Sequence, residues 1–211
     1  MSGPTVPWMV VPTLTRHDLL GRMLASVDVR IGTLVVVDNS GTLDDAGTDL
    51  ADDFRVLRMP TNLGVAASWN LALRLAYRAP WMLIASDDVT FPAGALEAFA
   101  ELSGEDRLVL SSAWPHWCAF TIGAGIVHRV GVFEEGYFPA YFEDTDYERR
   151  LHRAGLEVTI GPHVGHQNSS TLRSGDFAAA NDRSFAANQA LFEADRPHGF
   201  DPYRWRALAW F

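Results

Sequence analysis

The order of apolar and polar residues along the 211-residue chain predicts strands alternating with helices. Trp8-Met9-Val10-Val11, Leu34-Val35-Val36-Val37 and Trp81-Met82-Leu83-Ile84-Ala85 are unbroken apolar runs of strand length. Such runs mark strands covered on both faces, as in a parallel sheet. Phe54-Arg55-Val56-Leu57 predicts a further strand. Between the first two strands, Leu19, Leu20, Met23, Leu24 and Val27 recur at helical spacing, with Thr15 as the expected cap. A second helix is expected over 65–77, ending near Pro80, and a third starts near Pro92 and reaches Leu102.

The second half of the chain is less regular. Leu108-Val109-Leu110 and Ala119-Phe120-Thr121-Ile122 predict strands, the latter followed by Gly123-Ala124-Gly125 and a short helix. A helix over 144–154 stopped by Gly155, a last strand over 156–160 and a final helix over 177–194 complete the pattern. No Pro/Gly/Ser-rich linker interrupts it, so the expectation is one α/β domain over 1–211, with halves 1–106 and 107–195 and a tail 196–211.

Composition narrows the function classes. A 48% hydrophobic and 20% charged chain is of ordinary globular type, and a net charge of -9 argues against a broad electrostatic grip on nucleic acid. All 17 cationic residues are arginine. Mechanisms that need a lysine are therefore excluded: a Walker-type phosphate lysine, a Schiff base, or the lysine of haloacid-dehalogenase-like phosphatases. Cys118 is the single cysteine, which excludes an intramolecular disulfide and a cysteine-rich zinc site and suits a core thiol.

The start of the chain lacks a cationic, apolar leader, and no run of about 18 apolar residues occurs. A cytoplasmic protein is the expectation. The mixed arginine and aromatic tail, Tyr203 to Phe211, suits a lipid surface, a partner, or packing back on the domain. A lysine-free, alanine- and arginine-rich chain points to a GC-rich coding genome, actinobacterial or phage.

Candidate chemistry starts at Asp87-Asp88, directly after an apolar strand. Ligand crevices in open α/β sheets lie outside the carboxyl ends of strands, and hard divalent cations prefer carboxylate oxygens. A turn or helix cap uses the same residues, so the pair gains meaning from its companions. These are Asp38-Asn39, Asn62-Leu63-Gly64, Glu143-Asp144-Thr145-Asp146 and Pro162-His163-Val164-Gly165-His166.

In order and character these loops resemble the family 2 glycosyltransferases. The matching residues are Val10-Val11-Pro12-Thr13, Val35-Val36-Val37-Asp38-Asn39-Ser40, Asn62-Leu63-Gly64-Val65-Ala66, Ser86-Asp87-Asp88, Tyr141-Phe142-Glu143-Asp144-Thr145-Asp146 with Arg149, Arg153-Ala154-Gly155, and His166. The resemblance runs from about Trp8 to Phe192. It implies a GT-A-like, Rossmann-like α/β fold with a mostly parallel central sheet and helices on both faces. It also implies an inverting, hexosyltransferase-like enzyme that uses a nucleotide sugar, UDP-linked in the favoured case, with Mn²⁺ or Mg²⁺.

The resemblance assigns roles residue by residue. Asp88 matches the last position of the metal-binding motif, with His166 completing the metal or diphosphate site and His163 as its alternative. Here the motif reads Ser86-Asp87-Asp88, so its first acidic position is absent and Asp87 is assigned to the ribose or a metal-bound water. Asp144 matches the catalytic base, with Glu143 second. Pro12, Thr13, Asp38, Asn62 and Gly64 would hold the nucleotide, with Asn70 supporting the loop around Asn62.

Gly123, Ala124 and Gly125 match the segment beneath the donor sugar. Trp114, Trp117, Tyr137 and Tyr141 offer faces for sugar rings. Arg173, in the segment 169–176, is expected to close over the diphosphate in place of a lysine. The acceptor is open among a glycan, a lipid-linked intermediate, a protein and a modified base. Two alternatives remain: a sugar nucleotidyltransferase, disfavoured by a first loop without glycine or lysine, and a binding protein of the same fold without turnover.

Overall fold

The structure is a computed structural model and describes residues 5–44, 48–167 and 177–195. The predicted alternation holds in the first half as β1 (Val6–Thr13), α1 (His17–Ala25), β2 (Ile31–Asp38), β3 (Ala51–Arg58), α2 (Val65–Leu75) and β4 (Trp81–Ala85). After β4 come the short strand β5 (Val89–Thr90), α3 (Ala95–Leu102), β6 (Leu108–Leu110), β7 (Ala119–Gly123) and α4 (Ala124–Val130). The chain continues through α5 (Glu143–Arg153), β8 (Thr159–Ile160), β9 (Gly165–His166) and α6 (Phe177–Glu193).

Seven strands form one sheet in the order β3-β2-β1-β4-β7-β6-β8. The pairs β1–β2, β2–β3, β1–β4 and β6–β8 are parallel, and β7 lies antiparallel to both its neighbours. One strand thus reverses in an otherwise parallel α/β sheet. Side chains alternate across it with the two-residue period of a strand. Met9, Val11, Leu34, Val36, Leu83 and Ala85 enter one core with α1 and α3, while Val10, Val35, Val37, Met82 and Ile84 enter the other with α2, α4 and α5. Both faces are covered, which is why the central positions of these strands are apolar without a break.

The differences from expectation lie at element edges. Arg16 rather than Thr15 precedes α1, with no side-chain cap bond. The strand expected over 156–160 shrinks to Thr159–Ile160, because Leu156 and Val158 pack on the second core instead of pairing. The two-residue ribbon of β5 with β9 was not foreseen from periodicity, which needs longer runs.

β1 leads outward through β2 and β3, and the chain then returns to place β4 on the other side of β1. The gap between the carboxyl ends of β1 and β4 is therefore the topological switch point, where open α/β sheets bind ligands.

Candidate functional site

At that switch point Thr13 Oγ1, on the last residue of β1, donates to Asp87 Oδ2 at 2.6 Å. Asp87 and Asp88 sit in a tight turn closed by Ser86 N–H donating to the Cys118 carbonyl and Val89 N–H donating to the Ser86 carbonyl. Burial is the main cause that pushes the Asp87 carboxyl up to about 6; the Thr13 bond opposes it and the Asp88 charge adds to it.

The β5–β9 ribbon explains the second contact. Its register pairs Val89 with His166, which brings the histidine beside the residue before Val89. His166 Nε2 lies 3.1 Å from Asp88 Oδ1, and both side chains are under a tenth exposed. A side chain at Gly165 would meet Thr90 Oγ1, which would have to turn aside. His163 is exposed. Of the two histidines considered, His166 is the one brought to Asp88.

The far wall belongs to α5. Tyr141 and Phe142 precede it with φ of 77° and 75°, a left-handed pair without glycine that costs about 1–3 kcal/mol per residue. Buried Asn188 of α6 holds this segment, its Nδ2 donating to the Ala140 carbonyl at 2.8 Å and the Tyr141 carbonyl at 3.3 Å. The strained turn aims Glu143 and Asp144 inward. Glu143 is 5% exposed and its Oε2 is buried with no hydrogen-bond partner. Desolvation first, then the neighbouring Asp144 charge, pushes the Glu143 carboxyl well above the usual range. Asp144 is half-buried, its Oδ1 accepting from Thr145 N–H at 2.7 Å.

Between the walls lies a cavity of about 630 Å³. Pro12, Thr13, Asn62 and Gly64 line it, as do Asp87, Asp88 and His166 on one side and Glu143, Asp144 and Trp117 on the other. Gly64 has φ +80°, and a Cβ there would stand 2.8 Å from the Pro139 carbonyl oxygen. Val65 N–H donates to that same oxygen at 2.7 Å, so the loop at Asn62 is clamped directly to the loop before α5.

Several sequence-predicted residues lie elsewhere. Asp38 is fully buried and absent from the cavity wall. Its Oδ1 accepts from Ser40 N–H and Oγ, and its Oδ2 accepts from Leu43 N–H. Burial pulls its carboxyl up, but these bonds together outweigh burial and hold it below the usual range. Asp38 thus shapes the loop after β2, and its neighbour Asn39 reaches the cavity. Asn39 Oδ1 accepts from Leu63 N–H at 2.9 Å, and its Nδ2 donates to Ser68 Oγ at 3.0 Å.

Gly123, Ala124 and Gly125 lie at the wrong end of the sheet for a donor-sugar bed. β7 runs antiparallel to β4, pairing Gly123 with Trp81 and Ala119 with Ala85. The four intervals of β4 put Gly123 about 13 Å from the Asp87 end. The glycines instead admit the 104–106 loop, where side chains would strike the Glu105 carbonyl oxygen and Asp106 Oδ1. It is Trp117 and Cys118, directly before β7, that meet the cavity.

Trp117 is almost wholly buried there. It is 5% exposed, packs in an aromatic cluster with Trp69, Phe120, Phe133 and Tyr147, and donates through Nε1 to Glu148 Oε1 at 2.6 Å. Asn70 braces Phe133 through both its N–H and its carbonyl rather than the Asn62 loop, and Tyr137 is buried. Arg173 lies outside the described residues.

Sequence reasoning assigned no role to Asn39, Glu148 or Ser86, all of which line the cavity. The i, i+4 spacing of Asp144 and Glu148 on one helix face was a usable signal for Glu148; nothing local marked Asn39 over Asp38.

The profile of the family described as Glycosyl transferase family 2 matches residues 8–152. The chain belongs to glycosyltransferase family 2. This family 2 chain is 20% identical to a galactofuranosyl glycosyltransferase of Leishmania donovani, over 98% of its own length and 67% of that protein's. Its fold is similar to that of GalNAc-T7 solved with UDP, GalNAc and Mn²⁺, at TM-score 0.57 and 10% identity, over 76% of this chain and 44% of that one. It is also similar to the inositol-1-phosphate CTP transferase of T. maritima, at TM-score 0.53 and 11% identity, covering 87% and 97%. The glycosyltransferase spans less than half of the GalNAc-T7 chain. These likenesses establish a GT-A-type fold, which sugar and nucleotidyl transfer share.

Among the described residues the cavity wall carries five carboxylates, Asp87, Asp88, Glu143, Asp144 and Glu148, and no arginine. No group of three or more His, Cys, Asp or Glu side chains gathers as a metal cage among them. A pair such as Asp88–His166 still fits an ion whose other ligands are diphosphate oxygens, the common arrangement for Mg²⁺-type sites. No described helix is long and apolar enough to cross a membrane.

Proposed function

We propose that the protein transfers a sugar from a nucleoside diphosphate sugar, UDP-linked in the favoured case, to an acceptor hydroxyl with inversion at the anomeric carbon. The observation that carries this reading is the opposition across one cavity of Asp88 with His166 and of Glu143 with Asp144. Asp88 and His166 would hold a divalent ion. When bound, that ion would neutralise the diphosphate and its departing charge.

The chain's own residues supply position and proton transfer. Pro12, Thr13, Asn62 and Gly64 form the nucleotide wall, with Asn39 tying β2 to the loop at Asn62. Asp87, held by Thr13, faces the ribose side. Asp144, on the opposite wall, takes the acceptor proton as the hydroxyl attacks the face of the sugar away from the diphosphate. That single displacement gives inversion. The Asn62 loop and the loop before α5 are fixed to each other through Val65 N–H and Pro139, which sets the distance between donor and base.

The nucleotidyltransferase reading shares the fold, but the loop after β1, Pro12-Thr13-Leu14-Thr15-Arg16, offers neither glycine nor lysine to a triphosphate. Calorimetric titration of UDP, GDP and dTDP, each with Mn²⁺ or chelator, tests the donor site. The expected result is metal-dependent binding of one diphosphate that disappears in Asp88→Ala. Tight CTP binding with no diphosphate binding would favour nucleotidyl transfer instead.

A further inference from the structure

The acceptor side of the cavity has a composition of its own. Trp114 is 78% exposed, standing edge-on to His116 with ring centroids 5.5 Å apart, and both belong to the cavity wall. An indole left so open contributes little to the core. Glu148 lines the same cavity from the second turn of α5, on the same helix face as Asp144, and is steadied by the Trp117 indole. Glu143 adds a buried carboxylate oxygen that lacks a partner in the protein. A polar atom nine-tenths buried without a bond lacks a donor, and the cavity is where one can arrive.

Aromatic faces beside carboxylates suit one class of molecule. A sugar ring presents C–H groups to an aromatic face and hydroxyl donors at its edge. A lipid tail would leave the carboxylates without donors. An anionic group would meet the charges of Asp144 and Glu148, which outweigh the roughly +0.5 charge of the α5 amino terminus.

We propose that this wall is an acceptor subsite for an uncharged sugar ring, with Trp114 beneath the ring, Glu143 and Glu148 accepting from its hydroxyls, and acidic sugars rejected. The proposal rests on the glycosyltransferase reading of the cavity and adds the acceptor's chemical class. Trp114 and Glu148 are specificity-determining residues in it.

The test is saturation-transfer NMR on the full chain, with and without UDP and Mn²⁺. The probes are the methyl glycosides of glucose, galactose and mannose, each paired with its uronate. At least one neutral glycoside should bind and its uronate should bind at least tenfold more weakly, about 1.4 kcal/mol. Trp114→Ala removes an exposed ring, so the fold survives, and it should weaken the neutral glycoside roughly tenfold while leaving UDP affinity unchanged.

Glu148→Gln keeps an acceptor for the Trp117 indole and should narrow the gap between uronate and neutral sugar. The proposal is overturned if no neutral glycoside binds, if uronates bind equally well, if Trp114→Ala changes nothing, or if Glu148→Gln leaves the gap intact. UDP titration of the same samples reads the donor site separately: glycoside binding without any nucleotide binding sinks the donor assignment and leaves the subsite standing.

Discussion

The two walls of the cavity are built by different means. On the donor wall, the polar residues are the last residues of strands or the turns directly after them, and each has a protein partner: Thr13 with Asp87, Asp88 with His166, Asn39 with Leu63 and Ser68. On the acceptor wall, Glu143 and Asp144 follow a left-handed pair held by a helix far along the chain. One carboxylate oxygen there is unpartnered and one indole is open to solvent. The first wall comes from the sheet, and the second is assembled from long-range contacts and leaves Glu143 Oε2 without a partner. In the proposed reading, donor recognition rests on turns at the strand ends, while acceptor choice rests on the loop before α5.

The sharpest way to break this division is to exchange the effects of its two charged poles. Asp144→Asn keeps the shape of the acceptor wall and removes the proposed base. Turnover should fall by about 10²–10⁴ while metal-dependent nucleotide binding stays unchanged. Asp88→Ala should abolish both. Calorimetry together with a single-turnover assay separates the two variants. If Asp144→Asn weakened UDP binding as Asp88→Ala does, the walls would not be functionally distinct.

The same contrast decides what the sequence revealed. β1, β2 and β4 were legible because a strand buried on both faces carries an unbroken apolar run, and the turns follow directly after it. The α5 acids were legible from the Glu-Asp pattern. His166 was legible only through family resemblance, since its position depends on a two-residue ribbon too short to leave a period. Asp38 was assigned to the nucleotide by resemblance, whereas Asn39 is the residue that lines the cavity, because adjacent residues at a strand end point to opposite faces. Gly123-Ala124-Gly125 lies away from the Asp87 end of β4 because β7 is reversed, a property of pairing that is invisible in its five residues.

Those glycines give a second test, with an effect of a few kcal/mol. Gly64→Ala would place a Cβ 2.8 Å from the Pro139 oxygen and 2.9 Å from Phe138 Cδ2, at φ +80°. Gly123→Ala would place one against the backbone carbonyls of Gly104 and Glu105. Both should lose roughly 2–4 kcal/mol of stability in urea titrations, since the obstructing atoms are largely backbone. Only Gly64→Ala should also weaken nucleotide binding and turnover of the folded fraction, because it alone separates the clamped loops. Loss of nucleotide affinity in folded Gly123→Ala would return that segment to the site.

The smallest expected effect concerns Glu143, where the acceptor wall trades stability for readiness. Its carboxyl is raised by burial first and by Asp144 second. In the unfolded chain it would titrate near 4.3. Between that value and its raised folded value, the folded state holds a proton that the unfolded state has released, so its contribution to stability falls as pH rises through this window. Glu143→Gln is neutral throughout and removes the dependence. The variant should match the wild type near pH 4 and be the more stable at neutral pH, by a margin that grows as pH rises through this window. Thermal melts across pH, wild type against variant, isolate the group because every other titration cancels in the difference. A bound neutral sugar supplying a hydroxyl to Oε2 should shrink the gap at neutral pH, whereas a gap that does not vary with pH would mean that Glu143 is already ionised and satisfied, and that the acceptor wall holds nothing in reserve.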